Sequence, residues 1–124
     1  AWSFFKGTQE KDETLLETAI RELREESGID INSDERLNRN ISWNPIYSYT
    51  IKKSKDVFLF LLNDGTGALN NFNFKCESFW EDSKGNLHPE IIEYKWYELS
   101  EIYNVLFKSQ QNVVDILNLM FGGK

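Results

Sequence analysis

The feature that most constrains this chain is a helix-forming segment at residues 14–27, which ends in a run of glutamates. An apolar stripe recurs at helical spacing in this segment, at Leu16, Ala19, Ile20 and Leu23. Thr14 and Glu17 have the spacing of a capping box, and Gly28 stands where a left-handed C-terminal cap belongs. The segment therefore predicts an amphipathic helix with defined ends.

Three carboxylates lie on one face of this predicted helix. Glu22, Glu25 and Glu26 are spaced i, i+3 and i+4, and the repulsion of an i, i+4 pair costs roughly 0.2–0.5 kcal/mol. A hard divalent cation such as Mg²⁺ or Mn²⁺ would offset this repulsion, because it prefers carboxylate oxygens. The competing interpretation is a solvated face, in which Arg21 pairs with Glu17 and Glu25 at i, i+4 spacing. Helix composition alone favours the solvated face.

The wider spacing favours the cation site. Gly7 is followed by five residues and then Glu13, and seven residues later comes the run Arg-Glu-Leu-Arg-Glu-Glu-Ser-Gly-Ile at 21–29. A chance match to seven fixed identities at these spacings is on the order of one in a hundred million. Residues 7–29 resemble the complete Nudix box of the Nudix hydrolases.

The resemblance implies a fold for the chain. We expect a single Nudix hydrolase domain over residues 1–124, of the α/β class, built as an α/β/α sandwich around a mixed β-sheet. Family members usually carry a longer segment before the box, which forms the first strands. We therefore expect those N-terminal strands to be missing from this chain and the sandwich to be incomplete.

The resemblance also implies roles for the residues of the box. Metal ligands would be Glu22, Glu25, Glu26 and the carbonyl of Gly7, with Mg²⁺ as cofactor and Mn²⁺ as a possible substitute. Arg21 would fix the rotamer of a box carboxylate, Glu13 would orient the loop, and Gly28 would end the helix. A metal-bound water would attack phosphorus, with a carboxylate, Glu25 or Glu26 among them, as general base.

Features outside the box add three candidate residues. Trp2-Ser3-Phe4-Phe5-Lys6-Gly7 resembles the W-x-F-P-K-G segment of Nudix enzymes that act on dinucleoside polyphosphates, mRNA caps and diphosphoinositols, and Lys6 could contact a phosphate. Glu90 stands six residues before Trp96, as does a glutamate that serves many members as an extra metal ligand or base, with Glu93 as the alternative. Tyr47 stands where dinucleoside polyphosphate hydrolases carry a tyrosine that could stack on a base.

The rest of the chain predicts strands and one further helix. Strands are expected at 41–51, 56–62, 72–80 and 91–97, with the apolar run 57–62 as a buried central strand. Residues 109–121 predict a helix that is capped by Ser109, ends at Gly122 and carries an apolar stripe that includes Val113 and Met120.

Charge and cysteine content limit the partners and the compartment. With 20 acidic and 14 basic residues the net charge is −6, which argues against stable unassisted binding to nucleic acid. A small nucleotide polyphosphate remains accessible as a substrate if a metal ion intervenes. The single Cys76, the absence of a signal-peptide pattern and the absence of a long apolar stretch predict a cytoplasmic protein with no membrane partner. The sequence leaves the oligomeric state open.

Three functions remain open at this point. The first is a Nudix pyrophosphohydrolase that acts on a dinucleoside polyphosphate or a nucleoside triphosphate. The second is an mRNA cap-hydrolysing Nudix enzyme, although the chain lacks the basic stripe expected for holding RNA. The third is a non-catalytic Nudix-fold nucleotide-binding module, against which the intact set of box carboxylates argues.

Overall fold

The computed structural model describes residues 2–52 and 55–122, which form a mixed α/β domain. The helices are α1 (Leu15–Ser27), α2 (Glu35–Asn38) and α3 (Val113–Leu117). The strands are β1 (Tyr47–Ile51), β2 (Lys55–Leu59), β3 (Phe79–Glu81) and β4 (Leu87–Pro89). Short 3₁₀ turns occupy Ile31–Ser33, Leu99–Asn104 and Lys108–Gln110, and a π-helical turn occupies Asn118–Gly122.

Helix α1 forms as its sequence predicts. The Thr14 hydroxyl accepts a hydrogen bond from the Glu17 amide at 3.1 Å, and the Glu17 carboxylate accepts one from the Thr14 amide at 2.8 Å. Gly28 adopts the left-handed conformation with φ 83°, and its amide donates to the Arg24 carbonyl at 2.8 Å. Both ends of the helix are therefore set by local capping.

The strands form two antiparallel hairpins. β1 pairs with β2 from Tyr47 opposite Leu59 to Ile51 opposite Lys55. β3 pairs with β4 from Phe79 opposite Pro89. Single bridges join Ile41 to Leu62 and, in the only parallel pairing of the described residues, Trp2 to Leu106. The mixed α/β class is confirmed, whereas the strands of the described ranges pair as two separate hairpins instead of one continuous mixed sheet.

Several strand predictions were too long or wrong. β2 pairs with β1 alone and leaves Phe58 38% exposed, so 57–62 is not a buried central strand. Of the predicted 72–80 strand, only Phe79 and Trp80 lie in a paired strand, which continues to Glu81, and 91–97 forms no strand. In these segments Phe74 and Tyr94 stack at 4.9 Å between ring centroids. Side-chain packing here takes the place of the backbone pairing that the apolar pattern predicted.

The predicted helix at 109–121 is also interrupted. It divides into a 3₁₀ turn at Lys108–Gln110, α3 and a final π-helical turn. Val113 is buried as predicted, but Met120 is 48% exposed and Ser109 does not cap α3, whose N-terminal boundary residue is Asn112. Buried Gln110 accounts for the interruption, because its side chain bonds to the distant Phe4 amide and fixes the first turn by a tertiary contact.

The core lies on one side of α1. Its buried residues are Ile29, Ile31, Leu37, Ile41 and Leu69, and the apolar stripe of α1 packs against them together with Phe72 and Phe74. The opposite face of α1, which carries the glutamates, is left for the cleft described below. In the described ranges no helix has the length and apolarity needed to cross a lipid bilayer.

The two glycines Gly28 and Gly65 give a direct test of the C-terminal cap of α1. Gly28→Ala places a Cβ at φ 83° beside the Lys75 carbonyl, so we expect the free energy of unfolding to fall by about 1–3 kcal/mol. Gly65 has no atom within 4 Å of an added Cβ and no positive φ, so Gly65→Ala should leave stability unchanged or slightly raised. Urea unfolding measures both, and equal effects would contradict this account of the cap.

Candidate active site

A cleft of about 570 Å³ runs along the outer face of α1. The loop at 6–10 forms one wall and the β1–β2 hairpin forms another. Its lining includes the predicted Lys6, Gly7, Arg21, Glu22, Glu25, Glu26 and Glu90. A second, more open cavity near residues 98–100 and 115–122 contains none of the predicted site residues.

Arg21 is the centre of the polar network in this cleft. Its Nε donates to Glu13 Oε2 at 2.6 Å, and its Nη2 donates to Glu13 Oε1 at 3.1 Å, which makes a bidentate pair. Its Nη1 donates to Glu22 at 2.7 Å and to Glu25 at 3.1 Å, while Nη2 also reaches the Thr8 carbonyl at 3.0 Å. One guanidinium thus orients three box carboxylates, those of Glu13, Glu22 and Glu25, and ties the preceding loop to α1.

Glu13 is the strongest partner of Arg21. Hydrogen bonds from Arg21 and from the Glu10 amide lower the pKa of Glu13 from 4.5 to about 2, and the Arg21 pKa is raised chiefly by the same pair. The Thr18 hydroxyl also donates to Glu13 at 2.9 Å. Glu13 therefore stays ionised at neutral pH and fixes the loop against the first turns of α1.

Glu26 is the most enclosed carboxylate of the cleft, with 4% exposure. Its Oε1 accepts a hydrogen bond from the Lys6 amide at 3.0 Å. Burial, followed by the nearby charges of Glu22 and Glu90, raises the pKa of Glu26 to about 7, against the lowering effect of Lys6. A carboxyl group that titrates near neutral pH and faces a cleft is a frequent mark of a functional site.

Gly7 makes room for Glu22. A Cβ atom at position 7 would overlap the carboxyl group of Glu22, so only glycine lets the backbone approach this closely. Burial raises the pKa of Glu22, and the charges of Glu25 and Glu90 raise it further, against the lowering effect of Arg21. Glu22 thus lies between a backbone turn on one side and other carboxylates on the other.

Glu90 enters the cleft from the far end of the β3–β4 hairpin. Its amide donates to the Ser78 carbonyl at 2.8 Å, and the Ser78 hydroxyl donates to Glu90 Oε1 at 2.5 Å. Its charge acts on both Glu22 and Glu26, which places it near the glutamates of α1. Glu90 therefore lines the same cleft as the glutamates of the box, and its role as a metal ligand or base stays a prediction.

The last turn of α1 is held by three hydrogen bonds to its free carbonyls. The Glu25 carbonyl accepts from the Glu77 amide at 2.7 Å, and the Ser27 carbonyl accepts from the Lys75 amide at 3.0 Å. The Tyr94 hydroxyl donates to the Glu26 carbonyl. Helix ends otherwise leave such carbonyls without partners. These bonds fix the turn that presents Glu25 and Glu26.

One predicted substrate contact is wrong in position, and several lining residues were missed. The lining of the cleft includes Tyr49 but not Tyr47, which lies two residues earlier on β1. The Tyr49 hydroxyl accepts a bond from Gln110 at 3.3 Å. Lys55 and Ser78 also line the cleft. No sequence signal indicated Gln110.

The donor chemistry of the cleft fits a hard divalent cation. The oxygens of Glu22, Glu26 and Glu90 repel one another, and the Gly7 backbone adjoins Glu22. As their side chains stand, no three acidic, histidine or cysteine residues of the described ranges are arranged to hold a metal ion jointly. Glu25 is turned towards Arg21 and Glu26 towards the Lys6 amide, which accounts for this arrangement.

Comparison with known proteins identifies one matching family and two similar relatives. The chain matches the NUDIX domain family over residues 1–117. It is similar to the mRNA-decapping enzyme subunit 2 of Saccharomyces cerevisiae strain YJM789 and to the m7GpppN-mRNA hydrolase of Saccharomyces cerevisiae strain ATCC 204508 / S288c. Each is 28% identical over 113 residues, which are 88% of this chain but 9% of the relative's length. No solved structure matches the chain significantly.

The family match includes the whole box and extends well beyond it. It covers α1 with its three cleft glutamates, the loop of Gly7 and Glu13, and the distant Glu90 that the fold brings to the same cleft. The chain therefore belongs to the Nudix hydrolase family, and residues 1–117 are its NUDIX domain.

Proposed function

We propose that this chain hydrolyses a phosphoanhydride bond in a substrate that joins two nucleosides through a polyphosphate chain. The observation that carries the proposal is the convergence of Glu22, Glu25 and Glu26 of α1 with Glu90 in one cleft. Two cationic side chains, Lys6 and Lys55, line the same cleft and suit the charge of a polyphosphate.

Mg²⁺ is the proposed cofactor, with Mn²⁺ as a substitute. Glu22, Glu25, Glu26 and the Gly7 carbonyl would hold it. When bound, the cation would neutralise phosphate charge and supply a more acidic water. Arg21 contributes by holding Glu22 and Glu25 beside the cleft, and Glu25 would turn from Arg21 towards the cation on binding.

Glu90 is the proposed general base, with Glu25 and Glu26 as the alternatives. It comes from outside the box helix, it is more exposed than Glu26, and the Ser78 hydroxyl orients its carboxylate. A positioned carboxylate that accepts a proton from the attacking water contributes typically about 10²–10⁴-fold to the rate. Lys6 would contact a phosphate oxygen, since its ammonium group is already close enough to act on Glu26.

The relatives support the mRNA cap as one form of the substrate. Their names describe decapping and m7GpppN-mRNA hydrolysis, and a cap is itself two nucleosides joined by phosphates. The net charge of −6 favours the smaller form, a dinucleoside polyphosphate, because an acidic protein repels long RNA. The second candidate class, a nucleotide-binding module without turnover, predicts binding with no product.

A substrate panel tests the proposed activity. The substrates are a capped RNA, the m7GpppA dinucleotide, diadenosine tetraphosphate, ADP-ribose and the nucleoside triphosphates, each with Mg²⁺, with Mn²⁺ and with EDTA. We expect metal-dependent product from the capped or dinucleoside substrates and none with EDTA. Binding without product from any substrate and either metal would support the non-catalytic module instead.

Substitutions of single glutamates test the site itself. Glu26→Gln and Glu90→Gln should each lower kcat by at least about 10²-fold, because each removes a carboxylate from the reacting centre. Glu81→Gln, at an exposed glutamate of β3 outside the cleft, is the matched control and should leave kcat unchanged. Full activity in Glu26→Gln, measured by product release, would rule out the box as the catalytic site.

The raised pKa of Glu26 also predicts a dependence of stability on pH. The folded state binds a proton at Glu26 up to about pH 7, whereas the unfolded chain releases it near 4.5. The contribution of Glu26 to the free energy of unfolding is therefore greatest below pH 4.5. This contribution falls by roughly 3 kcal/mol in total as the pH rises from 4.5 to 7. Glu13, with its pKa near 2, acts only at lower pH.

Metal-free unfolding at pH 5.5, 7 and 8.5 measures this dependence. We expect wild type and Glu81→Gln to lose stability across the series, and Glu26→Gln to lose much less and to exceed wild type at pH 8.5. Parallel curves for all three proteins would show that Glu26 is not the titrating group.

A further inference from the structure

An exposed pair of stacked rings lies on the β3–β4 hairpin, next to the cleft. The rings of Trp80 and His88 stack with centroids 4.6 Å apart and an interplanar angle of 27°. They are directly opposite each other in the strand register. Trp80 is 51% exposed and the His88 side chain 44%, so the stacked pair keeps a large aromatic surface open to solvent.

The stacked rings lie on the same face of the β3–β4 hairpin as Ser78 and Glu90. Ser78 and Glu90 are opposite each other one step beyond the β3–β4 ladder and line the cleft. Trp80 and His88 follow two residues further along their strands, and side chains two residues apart share one face of a sheet. The stacked rings therefore continue the surface of Ser78 and Glu90, roughly 7 Å along the strand direction.

The pair is held in a fixed geometry by the turn that joins the two strands. His88 Nε2 donates to Asp82 Oδ2 at 2.8 Å. The same carboxylate accepts from the Lys84 and Asn86 amides, each at 2.9 Å, and the bond from His88 lowers the pKa of Asp82. The ring of His88 is thus fixed before any ligand binds, which reduces the entropy that binding would cost.

We propose that the Trp80–His88 pair is a stacking platform for one nucleobase of the substrate, the phosphates of which lie in the cleft near Glu90. This proposal rests on the proposed function and adds a subsite to it. Stacking on an aromatic ring is tolerant of base identity and is not opposed by the acidic net charge, since a nucleobase carries no negative charge. The separation between Glu90 and the rings leaves room for a ribose between phosphate and base.

Steady-state kinetics with the m7GpppA dinucleotide test the platform against a matched control. Trp80→Leu should raise KM by about tenfold or more while kcat stays within about twofold. Phe79→Leu is the control, because Phe79 is equally exposed at 53% but lies on the opposite face of the same strand. We expect it to leave both constants unchanged. Equal KM values for wild type and Trp80→Leu would overturn the platform and leave the proposed hydrolysis standing.

If the wild-type protein shows no turnover, a binding measurement tests the stacking platform independently of the proposed hydrolysis. Tryptophan fluorescence is titrated with ATP in the presence of Mg²⁺, and with inorganic tripolyphosphate and Mg²⁺ as the probe that lacks a base. The platform predicts quenching by ATP alone, which persists in Phe79→Leu and is lost in Trp80→Leu. Absence of quenching by ATP, or quenching that persists in Trp80→Leu, would contradict it whatever the outcome for hydrolysis.

Discussion

The bidentate pair between Arg21 and Glu13 is the interaction on which the rest of the site depends. It joins α1 to the loop that precedes it, and the remaining nitrogen of the same guanidinium holds Glu22 and Glu25. Without it, like charges on one helix face would push these carboxylates apart and into solvent. Because the fork is planar and has fixed donor directions, an ammonium group could not reproduce the arrangement.

The cleft gathers negative charge at a cost to stability. The carboxyl groups of Glu22 and Glu26 are both raised in pKa, chiefly by burial, and Glu90 adds repulsion from across the cleft. The fold tolerates this because the end of α1 is fixed by bonds from Tyr94 and the 75–77 segment and because its other face packs on the core. Such local destabilisation, held by well-satisfied surroundings, is a frequent property of active sites.

The sequence predicts those parts of the structure that are determined by residues close together along the chain. The ends of α1 followed from Thr14 and Gly28, and the placement of the box glutamates followed from helical spacing, because each depends on nearby residues. The prediction of a buried central strand at 57–62 and of a strand at 91–97 was wrong, because an apolar run does not show which partner it packs against. Gln110 reaches the cleft through contacts with residues distant in sequence, which a pattern along the chain does not encode.

We propose that Arg21 holds Glu22 and Glu25 close enough to Glu26 for a divalent cation to draw the three carboxylates together, and Mn²⁺ affinity measured by electron paramagnetic resonance tests this claim most directly. The comparison is between Arg21→Lys and Arg36→Lys, since Arg36 makes a similar fork with Asp34 on the surface outside the cleft. We predict that Arg21→Lys weakens Mn²⁺ binding roughly 10- to 100-fold while Arg36→Lys matches wild type. Equal Mn²⁺ affinity in all three folded proteins would contradict the claim.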